Sequence, residues 1–150
     1  MPLKKGKPAP PVQLPDQSGK LVDLEKFRGK KIVLYFYPQD NTPTCTEEAC
    51  NLRDNYKALM KAGYMVFGIS PDSVKKHANF IAKFNLPFSL LADPELKAIK
   101  AFKVWAMKKT FGHEHMGVLR TTYIIDENGI IEEVIEKVVS KDHASQIMGK

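Results

Sequence analysis

The chain has 150 residues, 43% hydrophobic and 27% charged, a composition that describes one soluble globular domain, residues 1–150, rather than two. Its longest apolar run, residues 32–37, falls far short of the roughly 20 residues a membrane-crossing helix needs. The Lys- and Pro-rich start has no apolar leader core, so a cytoplasmic protein without a membrane partner is expected. The formal charge of +6 comes mostly from lysines scattered among acidic residues, as in Lys75-Lys76 and Lys108-Lys109, with only Arg28, Arg53 and Arg120 as arginine; this reads as a solvated surface and not as a nucleic-acid interface.

In chain order, residues 4–15 carry Pro8, Pro10, Pro11 and Pro15, which fix φ and remove donors, and read as an extended surface arm. The turn Asp16-Gln17-Ser18-Gly19 separates two short alternating segments, predicting a small N-terminal β-hairpin. Residues 31–37 are a β-branched and aromatic run that stops at Pro38, the pattern of a central strand buried on both faces. Apolar spacing through Ala49, Leu52, Tyr56, Leu59 and Met60 predicts one helix over 43–62, ended by Gly63. A second buried strand is expected at 64–69 and a helix at 73–84, with Val74, His77, Ala78, Ile81 and Phe84 on one stripe.

A short strand follows at 88–91, then a helix at 94–102 with Asp93 as its N-cap and Pro94 at its first position. Residues 103–120 read as a loop. A strand at 121–125, a turn at Asp126-Glu127-Asn128-Gly129, an antiparallel strand at 130–138 and a short helix from about 142 complete the chain. Strands alternating with helices and then a closing hairpin predict an α/β fold with a mixed sheet.

The stretch Pro38-Gln39-Asp40-Asn41-Thr42-Pro43-Thr44-Cys45-Thr46-Glu47-Glu48-Ala49-Cys50 lies between the first central strand and its helix, where ligands gather at strand carboxyl ends. Thr42 suits the N-cap and Pro43 the first helical position, which puts Cys45 third, among unpaired N–H groups at the positive end of the helix. A thiolate, the reactive form of cysteine, is stabilised at such a place. Thr44-x-x-Glu47 is a rival capping box that starts the helix two residues later and leaves Cys45 in the first turn. Glu47 and Glu48 oppose the thiolate by charge. Arg120, bordering the apolar strand at 121–125, is the candidate cation, since a half-buried guanidinium needs an anionic partner. Arg53 is read as either joining the site or pairing along its helix.

These motifs resemble the peroxiredoxin Q type of atypical two-cysteine peroxiredoxin, also called bacterioferritin comigratory proteins. The family pattern of a proline, a hydroxyl residue and, three residues later, the peroxidatic cysteine falls on Pro38, Thr42 and Cys45. The family arginine falls on Arg120 within Gly117-Val118-Leu119-Arg120-Thr121-Thr122-Tyr123, and a resolving cysteine five residues after the first matches Cys50. Similarity also runs through Tyr35-Phe36-Tyr37-Pro38, Asn51-Leu52-Arg53-Asp54, Gly68-Ile69-Ser70, Leu90-Leu91-Ala92-Asp93 and Val104-Trp105. Thr44 stands where many relatives have glycine, which bears on how easily the helix start unwinds.

The resemblance implies a thioredoxin-like fold and a thiol-dependent peroxidase. Cys45 attacks hydrogen peroxide or an organic hydroperoxide and becomes a sulfenic acid, Cys50 condenses with it to a disulfide, and thioredoxin or a similar dithiol donor recycles the enzyme. Thr42, the Cys45 N–H and Arg120 bind the peroxide, Pro38 screens the cysteine from water, and no metal or organic cofactor is required. A monomer is expected. Because two residues five apart on a helix are too distant for a disulfide, oxidation is expected to unwind a segment around 44–52, with the helix anchored from about Leu52 onward.

Two other readings of the cysteines fit the spacing less well. A dithiol exchanger acting on protein disulfides has C-x-x-C as its usual signature, and the spacing here is C-x-x-x-x-C. A zinc module of Cys45, Cys50, His113 and His115 leaves one residue between its histidines where three to five are usual. His77 and His143 are read as packing and surface residues, and Phe80, Phe84 and Phe102 as core.

Overall fold

The computed structural model describes residues 2–149, with Met1 and Lys150 outside the description. The arm at residues 4–11 runs beside the closing hairpin, where Gly6 N–H donates to Ile131 O at 2.8 Å and Ala9 N–H to Gly129 O at 2.9 Å. Strands β1 (Gln13–Pro15) and β2 (Leu21–Asp23) form the N-terminal hairpin. Strand β3 (Lys31–Phe36) leads to helix α1 (Pro43–Asp54), helix α2 (Tyr56–Lys61) and strand β4 (Tyr64–Ser70). Helix α3 (Val74–Phe84), strand β5 (Ser89–Ala92) and helix α4 (Lys97–Ala101) follow. The chain closes with β6 (Trp105–Thr110), β7 (His113–Val118), β8 (Thr121–Ile125), β9 (Ile131–Ile135) and α5 (His143–Met148).

Among the described residues, five strands make the central sheet in the order β5-β4-β3-β8-β9. The β3–β4 and β4–β5 pairs are parallel, while β8 is antiparallel to both β3 and β9. This is the mixed sheet of a thioredoxin-like fold. Successive residues of a strand face opposite sides, and β3 uses both: Ile32, Leu34 and Phe36 enter the core shared with the β1–β2 hairpin and α4, while Val33, Tyr35 and, just past the strand, Tyr37 pack with α1, α3 and α5.

The structure departs from four expected elements, the least of them the strand expected over 130–138, which ends at Ile135. The helix expected over 43–62 is two helices broken at Asn55, whose φ of −111° and ψ of 12° leave the helical region. Its side-chain amide donates to Asn51 O at 2.8 Å, the local side-chain bonding by which Asn disturbs helices. The helix expected from Pro94 starts only at Lys97, because Leu96 takes a left-handed φ of 61°. Asp93 still satisfies its first turn, accepting from Lys97 N at 2.8 Å and Ile99 N at 2.9 Å. The loop expected at 103–120 contains the β6–β7 hairpin, turned at Phe111 and Gly112, both at positive φ.

Candidate active site

The antiparallel β3–β8 register pairs Phe36 with Thr121, so the carboxyl end of β3 and the amino end of β8 lie side by side. The loop after β3 begins α1, and the residue before β8 is Arg120; topology alone thus brings Cys45 and Arg120 together across 75 residues. Thr42 is the N-cap of α1, with its Oγ1 accepting from Cys45 N at 3.4 Å. Pro43 occupies the first position and Cys45 the third, so the rival start at Thr44 is not used. A 3.4 Å cap bond is long, and it leaves the Cys45 N–H weakly held.

Cys45 is buried, with 1% of its surface exposed. The Arg120 guanidinium spans two partners on α1: Nη2 donates to Cys45 Sγ at 3.2 Å and Nη1 to Glu48 Oε1 at 2.7 Å. Burial opposes the arginine's charge, yet the neighbouring Cys45 and Glu48 hold its pKa raised. Arg120 is therefore a fixed cation at the sulfur. Pro38 is half-buried just past β3, and Cys50 is a free, half-buried thiol on the same helix. Arg53 donates to Asp54 Oδ1 at 2.9 Å and Phe84 O at 2.8 Å, and its pKa is raised by the Asp54 hydrogen bond and by the nearby Cys50.

Two further groups enter that the sequence did not single out for the site. Glu48, read only as an opposing charge, is fully buried. Its Oε2 has no hydrogen-bond partner among the described residues and lies 3.5 Å from His143 Nε2. His143, expected at the surface, is fully buried on α5; its Nε2 meets Thr122 Oγ1 at 2.7 Å and its Nδ1 meets Gln146 Oε1 at 2.9 Å. Burial pushes the Glu48 carboxyl up from 4.5 to about 7, against the lowering pull of Arg120, and lowers His143.

A carboxyl with a higher pKa folded than unfolded binds more protons in the native state between the two values. Its contribution to stability therefore falls as pH rises from 4.5 to about 7. Glu48→Gln cannot ionise and lacks this fall. Urea unfolding of both proteins is expected to show the stability difference moving against the wild type by roughly 1–3 kcal/mol between about pH 4.5 and 7.5. A constant difference would assign Glu48 an ordinary titration.

His77 is likewise buried, and is more than packing: Nδ1 meets Asp40 Oδ2 at 2.7 Å and Nε2 meets Leu91 O at 3.0 Å. Asp40 also accepts from Tyr37 Oη at 2.5 Å, and its N–H donates to Asp72 Oδ2 at 2.7 Å. This network ties the loop before Thr42 to α3 and β5. Asp40, Asp72 and His77 are the one set of metal-ligand types that converges among the described residues. Their atoms are engaged with one another and with Tyr37, Ser70 and Leu91. Cys45, Cys50, His113 and His115 do not converge; the two histidines are exposed on β7.

A buried thiol in the first turn of a helix, held by a guanidinium on a thioredoxin-like sheet, defines a class of enzymes whose redox chemistry is done by cysteine. The AhpC/TSA family matches residues 5–134. Peroxiredoxin Bcp of Bacillus subtilis is 45% identical over 148 residues, covering 99% of this chain and 94% of that protein. The structure of Xanthomonas campestris peroxiredoxin Q aligns with a TM-score of 0.86 and 33% identity, covering 92% of this chain and 87% of the other. A structure of the Xanthomonas campestris bacterioferritin comigratory protein, described for its alkyl peroxide reduction, gives 0.86 and 32%, covering 92% and 88%. The chain belongs to the peroxiredoxin Q/BCP subfamily of the AhpC/TSA peroxiredoxin family. It is a thiol-dependent peroxidase. No helix among the described residues is long and apolar enough to cross a membrane.

Proposed function

We propose that Cys45 is the peroxidatic nucleophile and Cys50 the resolving thiol, acting on hydrogen peroxide and organic hydroperoxides. The observation that carries this reading is the 3.2 Å contact of Arg120 Nη2 with the sulfur of Cys45, at the third residue of α1. The Cys45 thiolate attacks the terminal peroxide oxygen; an S–O bond forms, the O–O bond breaks, and the departing alkoxide, or hydroxide from hydrogen peroxide, takes a proton and leaves as alcohol or water. The Arg120 guanidinium, the weakly held Cys45 N–H and the Thr42 hydroxyl stabilise charge developing along the breaking bond. Glu48 fixes the other arm of the guanidinium. Half-buried Pro38 has no N–H of its own and limits the entry of water.

Cys50 sulfur then attacks the sulfenic sulfur, an S–S bond forms and water leaves; a dithiol donor of the thioredoxin kind reduces the disulfide by exchange. The residues of this reading lie in one chain, so a monomer suffices, and two free thiols suit a reducing, cytoplasmic setting. The alkyl peroxide reduction described for the Xanthomonas campestris relative supports organic hydroperoxides as substrates.

Stopped-flow fluorescence tests the reading, because Trp105 is the only tryptophan and begins the hairpin that leads to Arg120. Arg120→Ala is expected to slow the peroxide-driven phase about a hundredfold and Thr42→Val about tenfold, with reduction by a dithiol donor unchanged. Thr42→Val also loses a helix cap, about 1 kcal/mol of stability. Attack at the wild-type rate in both variants would remove Arg120 and Thr42 from the site.

A further inference from the structure

The β6–β7 hairpin, with its Lys108-Lys109 pair, has no part in the chemistry described above. Alternation along its two strands puts Ala106, Lys108, His115 and Gly117 on one face, with Lys108 opposite His115 and Ala106 opposite Gly117. Lys108 does not extend into solvent as a surface lysine ordinarily does. Its stem lies across Gly117, where an added Cβ would sit 2.8 Å from Lys108 Cδ. Its ammonium donates to Val118 O at 3.0 Å. Val118 is two residues before Arg120, and the residue between them is held on its other side, with Leu119 N–H donating to Val104 O at 2.7 Å and Thr121 Oγ1 to Leu119 O at 3.0 Å.

We propose that Lys108 is a positioning residue of the peroxidatic site: its ammonium clamps the Val118 carbonyl and so fixes the short lead that carries the Arg120 guanidinium onto the Cys45 sulfur. The proposal rests on the reading of Cys45 as nucleophile. The guanidinium is aimed by the backbone that precedes β8, and an error of about 1 Å in such a group is enough to cost orders of magnitude in rate. An ammonium has three donors, and one of them goes to Val118, two residues before Arg120. The electrostatics agree: burial and then the Arg120 charge lower the Lys108 pKa, while Cys45 raises it. Two cations near one another repel, and the Cys45 thiolate formed for attack on peroxide would offset that repulsion. Gly117 has a defined part in this, because a Cβ there would sit 2.8 Å from Lys108 Cδ and the lysine stem would have to shift from its present path.

The test uses the full chain carrying Cys50→Ser, which leaves a single thiol. Two reactions of that thiol are timed, with hydrogen peroxide and with iodoacetamide. Both are compared on the high-pH plateau where the thiol is fully ionised, so that a changed thiolate fraction drops out; there alkylation needs the thiolate alone, whereas peroxide attack also needs Arg120 aimed at the O–O bond. Lys108→Met, which keeps the apolar stem, is expected to slow peroxide attack about tenfold and to change alkylation less than about twofold. Lys108→Arg, which can still donate to Val118, is expected to recover most of the loss. Gly117→Ala keeps the charge but pushes the stem aside, and is expected to give the same selective loss in a protein whose hairpin retains its lysine. Unchanged peroxide attack in Lys108→Met would overturn the proposal, and so would a parallel fall in both reactions, which signals loosened structure. If the Cys50→Ser protein itself fails to react with peroxide, the reading of Cys45 fails first, and is seen to fail separately.

Discussion

Replacing Cys45 by serine is expected to lower peroxide turnover by at least about a thousandfold while leaving the fold in place, since an alcohol has neither the acidity nor the nucleophilicity of a thiol. The environment tolerates the change. Serine at this site is smaller than cysteine and its oxygen can still accept from Arg120, which would keep Glu48 paired through the other arm of the guanidinium. Peroxide consumption with a dithiol reductant measures the activity, and circular dichroism with a thermal melt checks the fold. Thiol-dependent turnover persisting in the folded variant would falsify the assignment of Cys45.

Oxidation is expected to unwind α1, the second large effect. Two Cα atoms five residues apart on an α-helix are about 8.6 Å from each other, and a disulfide spans only about 4.4–6.8 Å; Cys45 and Cys50 share α1, so it must open before they join. The anchoring expected from Leu52 onward in fact begins earlier, because Cys45, Glu48, Ala49 and Leu52 are all buried. The helix is also tied to the C-terminal segment, where Asn51 Nδ2 donates to Lys141 O at 2.9 Å and its Oδ1 accepts from Ala144 N at 2.8 Å. Unwinding must release these links, so the change should extend beyond α1. Hydrogen exchange on the reduced and disulfide forms is expected to quicken about a hundredfold or more at residues 44–52, with a smaller rise at 141–144. The break at Asn55 should stop it before α2. Equal protection in protein shown by mass spectrometry to carry the intramolecular disulfide would overturn the unwinding of α1.

Some of these features were legible because their causes are local. Thr42 before Pro43 starts a helix by cap chemistry and fixed φ, so the place of Cys45 in the first turn could be read from a few neighbouring residues. The run at β3 announced a strand buried on both faces because both of its alternating sets are apolar. The β6–β7 hairpin gave no such sign. Lys108, Lys109, His113, Glu114 and His115 supply neither apolar alternation nor β-branching, and its turn uses Phe111 at positive φ, where glycine or asparagine is the usual signal.

What the sequence determined by itself was therefore the set of elements with strong local pattern, the mixed α/β class and the first-turn thiol. Tertiary structure decided which distant charges share that thiol's surroundings. Glu48 shares the helical face of Cys45, Ala49 and Leu52 but carries no apolar signal, and nothing local marks His143 for its fully buried place beside Thr122; both are buried by α5 packing on α1 against the end of β8. Nor does anything near Lys108 in sequence direct its ammonium to the Val118 carbonyl, which it reaches only once β6 and β7 pair. The physical reason is the same in each case. Caps, turns and strand patterns act over a few residues of chain, whereas desolvation and ion pairing depend on what the folded topology brings within a few ångströms.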